Sequence, residues 1–263
     1  MASESVGRAV ALHANHLFSM NIIRAIKSLF KRQRPLASFE TPAFDDPAFD
    51  INAYMAPFAA RLTEHFVNAE ADSKKLLKRY GEFTAFSFRI DFDHFLRKEV
   101  LLFREPISQY LSFLDEDHWA EKHPFNFPGP FYSGASETCG TGVCQAPSNV
   151  MNDADCCEFV FKQPTNYYEL LCVLDAAAVE VFDSYSSNGN HHWTYELCRE
   201  WWGNKAQLLE YLTNEEVVKM NNGQAQLYID YLNGAAETDL QRYCYFLEYG
   251  SFPQQNNIIL PKL

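Results

Sequence analysis

Seven cysteines and eight histidines are the residues of this chain best suited by type to do chemistry, and their spacing decides what chemistry that is. Cys139 lies in Thr138-Cys139-Gly140-Thr141-Gly142, where a thiol nucleophile would have small neighbours whose backbone N–H groups could form an oxyanion hole. His191 or His192 would serve as its base and Asp183 as the group that orients the base. A zinc site can also be drawn from Cys139, Cys144, Cys156, Cys157 and the His191-His192 pair. Structural zinc sites, however, use two ligand pairs at two-to-four-residue spacing, and the adjacent Cys156-Cys157 pair is strained for chelation. An iron–sulfur pattern fails because Pro147 stands where the third cysteine is needed. The expectation is therefore no metal and no cofactor.

Asp91/Asp93, Asp115/Asp117 and Asp153/Asp155 offer paired carboxylates for acid–base work, but all sit in polar or turn contexts that suit solvated pairs. No phosphate-binding glycine loop, zincin motif or Gly-x-Ser-x-Gly elbow occurs. Binding is better supplied. Phe131 and Tyr132 stand in the middle of the chain, while Trp193, Trp201 and Trp202 crowd together beside the paired histidines. Positions 201 and 202 are about 100° apart on a helix, so one face cannot bury both. Trp202 either packs under the central loop, which is preferred, or forms an exposed anchor. Phe131, Tyr132, Trp193 and Trp202 are taken as the binding residues; Cys139, His191, His192 and Asp183 are the catalytic alternative.

These residues have to be positioned by residues 124–149, a stretch with four prolines and four glycines that fits no regular helix or strand. Phe125, Phe127, Phe131 and Tyr132 are too apolar for a solvated linker, which predicts a fixed, aromatic-pinned loop. Upstream, residues 8–34 read as a basic amphipathic helix and 41–57 as a proline-rich linker lying on the surface. Helical spacing covers 58–80, with Gly81 as its stop; Phe83–Phe92 alternates as a strand. Downstream, a strand over 157–161 precedes a helix over 164–178 started at Pro164 and capped by Thr165, then a strand over 179–182 and a loop over 183–190. Thr194 caps a helix over 195–202 with Leu197, Cys198 and Trp201 facing inward, and three helices follow over 204–212, 214–232 and 235–249. The fold class is α+β: a small, mainly antiparallel sheet covered by helices, a helical C-terminal third, and one domain over 58–263.

Net charge is −12, yet residues 1–35 hold six basic residues against one acid, leaving −17 on residues 36–263. A field of that sign repels nucleic acid and steers basic protein partners. The odd cysteine count and an opening that does not read as a signal peptide fit a reducing cytoplasm. No apolar run is long enough to span a membrane, so helix 8–34 is the one candidate membrane contact.

The series Gly129-Pro130-Phe131-Tyr132-Ser133-Gly134, Thr138-Cys139-Gly140-Thr141-Gly142 and Ala146-Pro147-Ser148-Asn149-Val150 resembles an uncharacterised bacterial family with a Gly-Pro-Phe-Tyr-(Thr/Ser)-Gly, Cys-x-Thr-Gly and Ala-Pro-x-Asn-Val pattern. Similarity continues through Glu158–Pro164, Asp183-Ser184-Tyr185, His192-Trp193-Thr194 and Glu200-Trp201-Trp202. The family in turn resembles immunity proteins encoded beside secreted toxins. The resemblance implies an antitoxin that neutralises a cognate toxin by direct binding, without a catalytic site of its own, and the −17 balance makes that toxin a basic one. A cysteine-dependent enzyme is the alternative.

Overall fold

A computed structural model describes residues 51–101, 114, 117–134, 141–180, 183–254 and 258–263. The basic helix expected over 8–34 lies outside the described residues, as does Cys139. The architecture is α+β, with two small antiparallel two-stranded sheets among helices in the described residues.

Helix α1 (Ile51–Tyr80) takes in the last residues of the expected linker, so that linker ends by Ile51. Pro57, in its second turn, costs one ladder hydrogen bond without ending the helix. Gly81, at φ 76°, stops α1 as its composition predicts. The alternating Phe83–Phe92 segment is not a strand: it forms helix α2 (Phe83–Ser87), a turn, and helix α3 (Phe92–Phe95) running into a π-helical turn over Leu96–Val100. Phe83 and Phe86 bury at helical spacing while Ile90 is exposed, the reverse of strand alternation.

The central segment contributes strand β1 (Tyr132–Ser133), the single turn α4 (Gly142–Gln145) and strand β2 (Val150–Asn152). Strand β3 (Glu158–Val160) pairs with β2 in the register Met151 with Phe159, within the strand expected over 157–161. Helix α5 (Tyr167–Val179) is capped by Asn166, whose side chain accepts from Glu169 N–H. Thr165 is not the cap; its hydroxyl and N–H donate to the Glu169 carboxylate. Val179 ends α5, residues 181–182 of the expected strand lie outside the described residues, and the expected loop contains a strand, β4 (Tyr185–Ser186), paired with β1.

Helix α6 (Tyr195–Gly203) carries the expected cap, with Thr194 Oγ1 accepting from Leu197 N–H at 3.2 Å. Cys198 faces inward, but Leu197 is exposed. Helices α7 (Lys205–Leu212), α8 (Glu215–Met220), α9 (Ala225–Asn233) and α10 (Ala236–Tyr249) follow. The span 214–232 breaks into two helices because Asn222 and Gly223 both take positive φ.

The described residues form two apolar cores. One joins α1 and α5 with Phe86, Phe92, Phe131, Val150 and Val160; the other joins α6–α10 with Phe127, Met151, Phe159 and Phe161. Successive residues of a strand point to opposite faces, so β2–β3 sends Val150 and Val160 to the first core and Met151 and Phe159 to the second. Phe131 and Phe127 divide in the same way. The central segment is thus a wall buried on both sides.

Such a wall has few ladder partners for its backbone, and amide side chains supply them. Asn126 Oδ1 accepts from Ser133 N–H and Val160 N–H while its Nδ2 donates to the carbonyls of His123 and Ser133. Gln163 Oε1 accepts from Phe131 N–H, and its Nε2 donates to the carbonyls of Phe127 and Phe131. Asn221 pairs with both backbone groups of Asn152 as a neighbouring strand would. Gly129 and Gly189 meet backbone to backbone: a Cβ at Gly189 would fall 2.1 Å from Gly129 O, and one at Gly129 would fall 2.3 Å from Gln163 Cδ.

Candidate functional site

Two turns and one helix bring polar and aromatic side chains together on one face of the wall. The 3₁₀ turn Trp119–Glu121 presents Trp119 and is followed by Lys122; the 3₁₀ turn Gly189–His191 presents His192; and α6 presents Glu200, Trp201 and Trp202. Asp117 ties the first two. Its Oδ2 lies 3.0 Å from His192 Nε2, and its Oδ1 accepts from Trp119 N–H and from Tyr132 O–H, both at 3.0 Å. Burial pushes the Asp117 carboxyl up, but these hydrogen bonds and His192 more than offset it, leaving the carboxyl below its usual range. Tyr132 O–H also reaches Asn188 Oδ1 at 2.7 Å.

Trp119 stacks on His192 at 4.8 Å and meets Trp193 edge-on at 5.0 Å. Lys122 Nζ sits 4.9 Å from the Trp119 ring centre and 5.1 Å from that of Trp193. Burial lowers the Lys122 pKa, and the nearby Glu200 carboxylate restores only part of it. Trp193 Nε1 is buried without a hydrogen-bond acceptor among the described residues. Trp201, not Trp202, packs under the central loop: its Nε1 donates to Pro124 O at 3.1 Å and its ring meets Phe127 at 5.3 Å. Trp202 is half-buried, with Lys205 Nζ 4.7 Å from its ring centre.

No family model matches the chain, and no curated protein or solved structure is significantly similar to it. Its chemistry has to be read from its own geometry.

Phe131, Tyr132 and Trp193, expected to bind, are 1%, 0% and 5% exposed; Trp202 alone of the four reaches solvent appreciably. Their apolar area is spent in the cores, so toward a macromolecule the first three act as supports. The catalytic alternative is altered in its parts. The carboxylate beside His192 is Asp117; Asp183 lies at a positive-φ turn, where its backbone carbonyl accepts from His118 Nε2 at 2.7 Å. His191 is exposed. His192 directs Nε2 at Asp117, and no described hydroxyl or thiol is hydrogen-bonded to its ring.

The other candidates are tied into structure. His123 Nε2 meets Asp153 Oδ2 at 3.0 Å, its Nδ1 accepts from Phe125 N–H, and its ring stacks on Phe159. Burial raises the Asp153 pKa, yet His123 and the N–H groups of Cys157 and Asp155 hold it below the usual range, so this carboxylate fixes the β2–β3 turn. Asp91 pairs with Arg89, and Asp93 with Arg97 and Ser187. Cys198 and Cys244 are buried together, and burial pushes the Cys198 thiol up. Among the described residues, no three His, Cys, Asp or Glu side chains converge as metal ligands, and no helix is long and apolar enough to cross a membrane.

Sequence reasoning passed over Trp119, Lys122, Asn126 and Gln163. The available signal was their isolation: Asn126 stands between Phe125 and Phe127, and Gln163 between Lys162 and Pro164, single amides in otherwise apolar or proline-bounded runs.

Proposed function

We propose that the protein acts by binding a basic protein through the face built on α6 and the Trp119–Glu121 turn, and that this partner is a secreted toxin which it neutralises, as the motif resemblance implies. One observation carries the reading. All four tryptophans of the chain gather on this face, three of them half-buried, and exposed carboxylates at Asp117, Glu121, Glu196 and Glu200 surround them. Binding hot spots favour tryptophan, whose large ring buries much area at little entropic cost. An acidic rim steers a basic partner and sets orientation. The groups capable of acid–base work are meanwhile engaged in holding the face together.

The test is isolation of the partner from the native host, followed by binding of the purified pair. Affinity should fall as salt rises from about 50 to about 500 mM, where screening shortens the reach of the rim charges. Trp202→Ala should weaken binding by about 1–3 kcal/mol, the range of a half-buried aromatic anchor. Expression of the partner alone should arrest growth, and co-expression of this chain should restore it. A partner whose binding ignores both salt and Trp202→Ala refutes the face; one that is harmless when expressed alone refutes the toxin.

A further inference from the structure

Against the wall lies a cavity of about 220 Å³ with no tryptophan in its lining. Helix α2 gives it one side through Phe83, Thr84 and Ser87, at helical i, i+1 and i+4 spacing, with Phe88 at the helix's C-terminal cap. Helix α10 gives the facing side through Asp239, Arg242, Tyr243 and Phe246, at i, i+3, i+4 and i+7. The floor is the central segment from Phe127 to Phe131, fastened from beneath by Gln163. Phe252, just past the left-handed Gly250, stands against Phe88 with ring centres 4.5 Å apart. The cavity therefore joins the two cores where the wall leaves them unfilled.

Its lining specifies an occupant. Phe88 meets Phe246 near-perpendicularly at 5.4 Å, and Phe92 meets Phe131 at 89°, so the walls offer both ring faces and ring edges. Aromatic pairs prefer these offset and edge-on arrangements, which a flat ring can complete and a flexible alkyl chain cannot. An apolar cavity of about 150 Å³ holds a benzene, so this volume suits one or two fused rings. The charges present already compensate each other: Asp239 accepts from Tyr231 O–H at 3.1 Å and faces Arg242 Nη1 at 3.5 Å. An ionic ligand would add an unpaired charge among rings. Polar capacity does remain. Asn190 Oδ1 accepts from Tyr243 O–H at 2.8 Å, which leaves the Asn190 Nδ2 group with no partner among the described residues, and the Ser87 hydroxyl likewise has none.

We propose that this cavity binds a neutral, planar, one- or two-ring aromatic molecule carrying a single hydrogen-bonding group, of the phenol or indole type. The ring fills the space between α2 and α10, and its polar atom is met by Asn190 or Ser87. This site adjoins the tryptophan face, sharing Phe127, which meets Trp201 at 5.3 Å, and the Gly189–His191 turn, which carries Asn190.

Titration calorimetry of the full chain with indole, p-cresol, toluene and 1-octanol tests the assignment. Indole or p-cresol should saturate one site per chain, and 1-octanol should bind at least about tenfold more weakly, a difference of one decade in Kd. Ser87→Phe places a ring in the cavity and should weaken indole by at least about tenfold. Asn190→Ala should weaken p-cresol while leaving toluene unchanged. Should Ser87→Phe fail to fold, Phe252→Ala decides in its place, because loss of the ring beside Phe88 should lower affinity for both aromatic probes. Absence of saturable binding by indole and p-cresol, equal binding of 1-octanol, or affinities unmoved by these cavity substitutions overturns the proposal.

Discussion

If the central wall is held by amide side chains rather than by a sheet, one substitution should loosen it out of proportion to its size. Gln163 is half-buried and makes three hydrogen bonds to the wall backbone, at 3.1, 2.8 and 2.7 Å. At about 1 kcal/mol net per bond, Gln163→Ala should cost about 3 kcal/mol, reduced toward 2 where water entering from the cavity re-solvates the freed groups. In a fold of this size that lowers Tm by roughly 4–12 °C. Gln163→Glu is the sharper perturbation because it keeps the volume and the acceptor for Phe131 N–H. It replaces the donor with a carboxylate oxygen facing the carbonyls of Phe127 and Phe131. Those carbonyls disfavour the charged form, so the folded-state pKa of the new carboxyl rises above its ordinary value of about 4.3. A raised folded pKa means the variant is penalised above that value and recovers as pH falls through it, when the protonated acid can donate again. Urea melts of wild type, Gln163→Ala and Gln163→Glu at about pH 4 and pH 7 give the three differences. A Gln163→Ala cost below about 1 kcal/mol, with a Gln163→Glu cost independent of pH, would refute the idea that this side chain holds the wall.

Three further outcomes follow from the same structure. Glu158 is fully buried; burial raises its pKa to about 7, with Tyr185 O–H and Gly142 N–H opposing and Glu180 adding to the rise. Its contribution is therefore complete below about pH 4.5 and is lost as pH rises through 7, so Glu158→Gln should gain about 3 kcal/mol on wild type between pH 4.5 and 8 in paired urea melts, and a constant difference would contradict this. Phe127, 2% exposed and set between Trp201 at 5.3 Å and Tyr231 at 5.1 Å, should cost about 3–5 kcal/mol on replacement by alanine, read from the urea midpoint. Among the described cysteines, half-buried Cys144 and Cys156 should react with a thiol reagent well before buried Cys157, Cys172, Cys198 and Cys244, as followed by mass spectrometry; early labelling of Cys198 would contradict its place in the core.

Signals complete within a few residues were legible in the sequence: Thr194 as a cap, Gly81 as a stop, β3 as a strand, and the helical C-terminal third. Signals that depend on what lies across space were not. Phe83–Phe92 read as a strand because its aromatics alternate, but the alternation reports two cores on opposite sides of a short helical stretch. Phe86 and Phe92 bury toward α5, whereas Phe88 crosses to Phe246 and Phe252. Two-residue strands such as β4 are fixed by a partner more than fifty residues away, here Tyr132 against Ser186, and leave no local period to detect. The sequence shows Trp193, Trp201 and Trp202 crowded together but not Trp119 beside them or the tie between Asp117 and His192, which stand 75 positions apart and are brought near each other where β1 pairs with β4.

The same geometry explains why residues 124–134 carry so many prolines and glycines at once and are met by amide side chains. A segment that must present side chains to cores on both sides, while bringing Gly129 against Gly189, cannot twist into a helix or extend as a long strand. Proline fixes its path and removes donors that would otherwise be buried unpaired; the remaining groups still need partners in a place no strand reaches. Asn126, Gln163 and Asn221 present a donor and an acceptor on one planar group, the same pair that a peptide unit offers. On this argument the rigidity of the wall resides in amides rather than in aromatics. Asn126→Leu, which keeps bulk and removes both polar functions, should therefore destabilise the protein more than Phe125→Leu at the neighbouring half-buried ring. Paired urea melts decide this, and equal costs would return the role to the aromatic side chains.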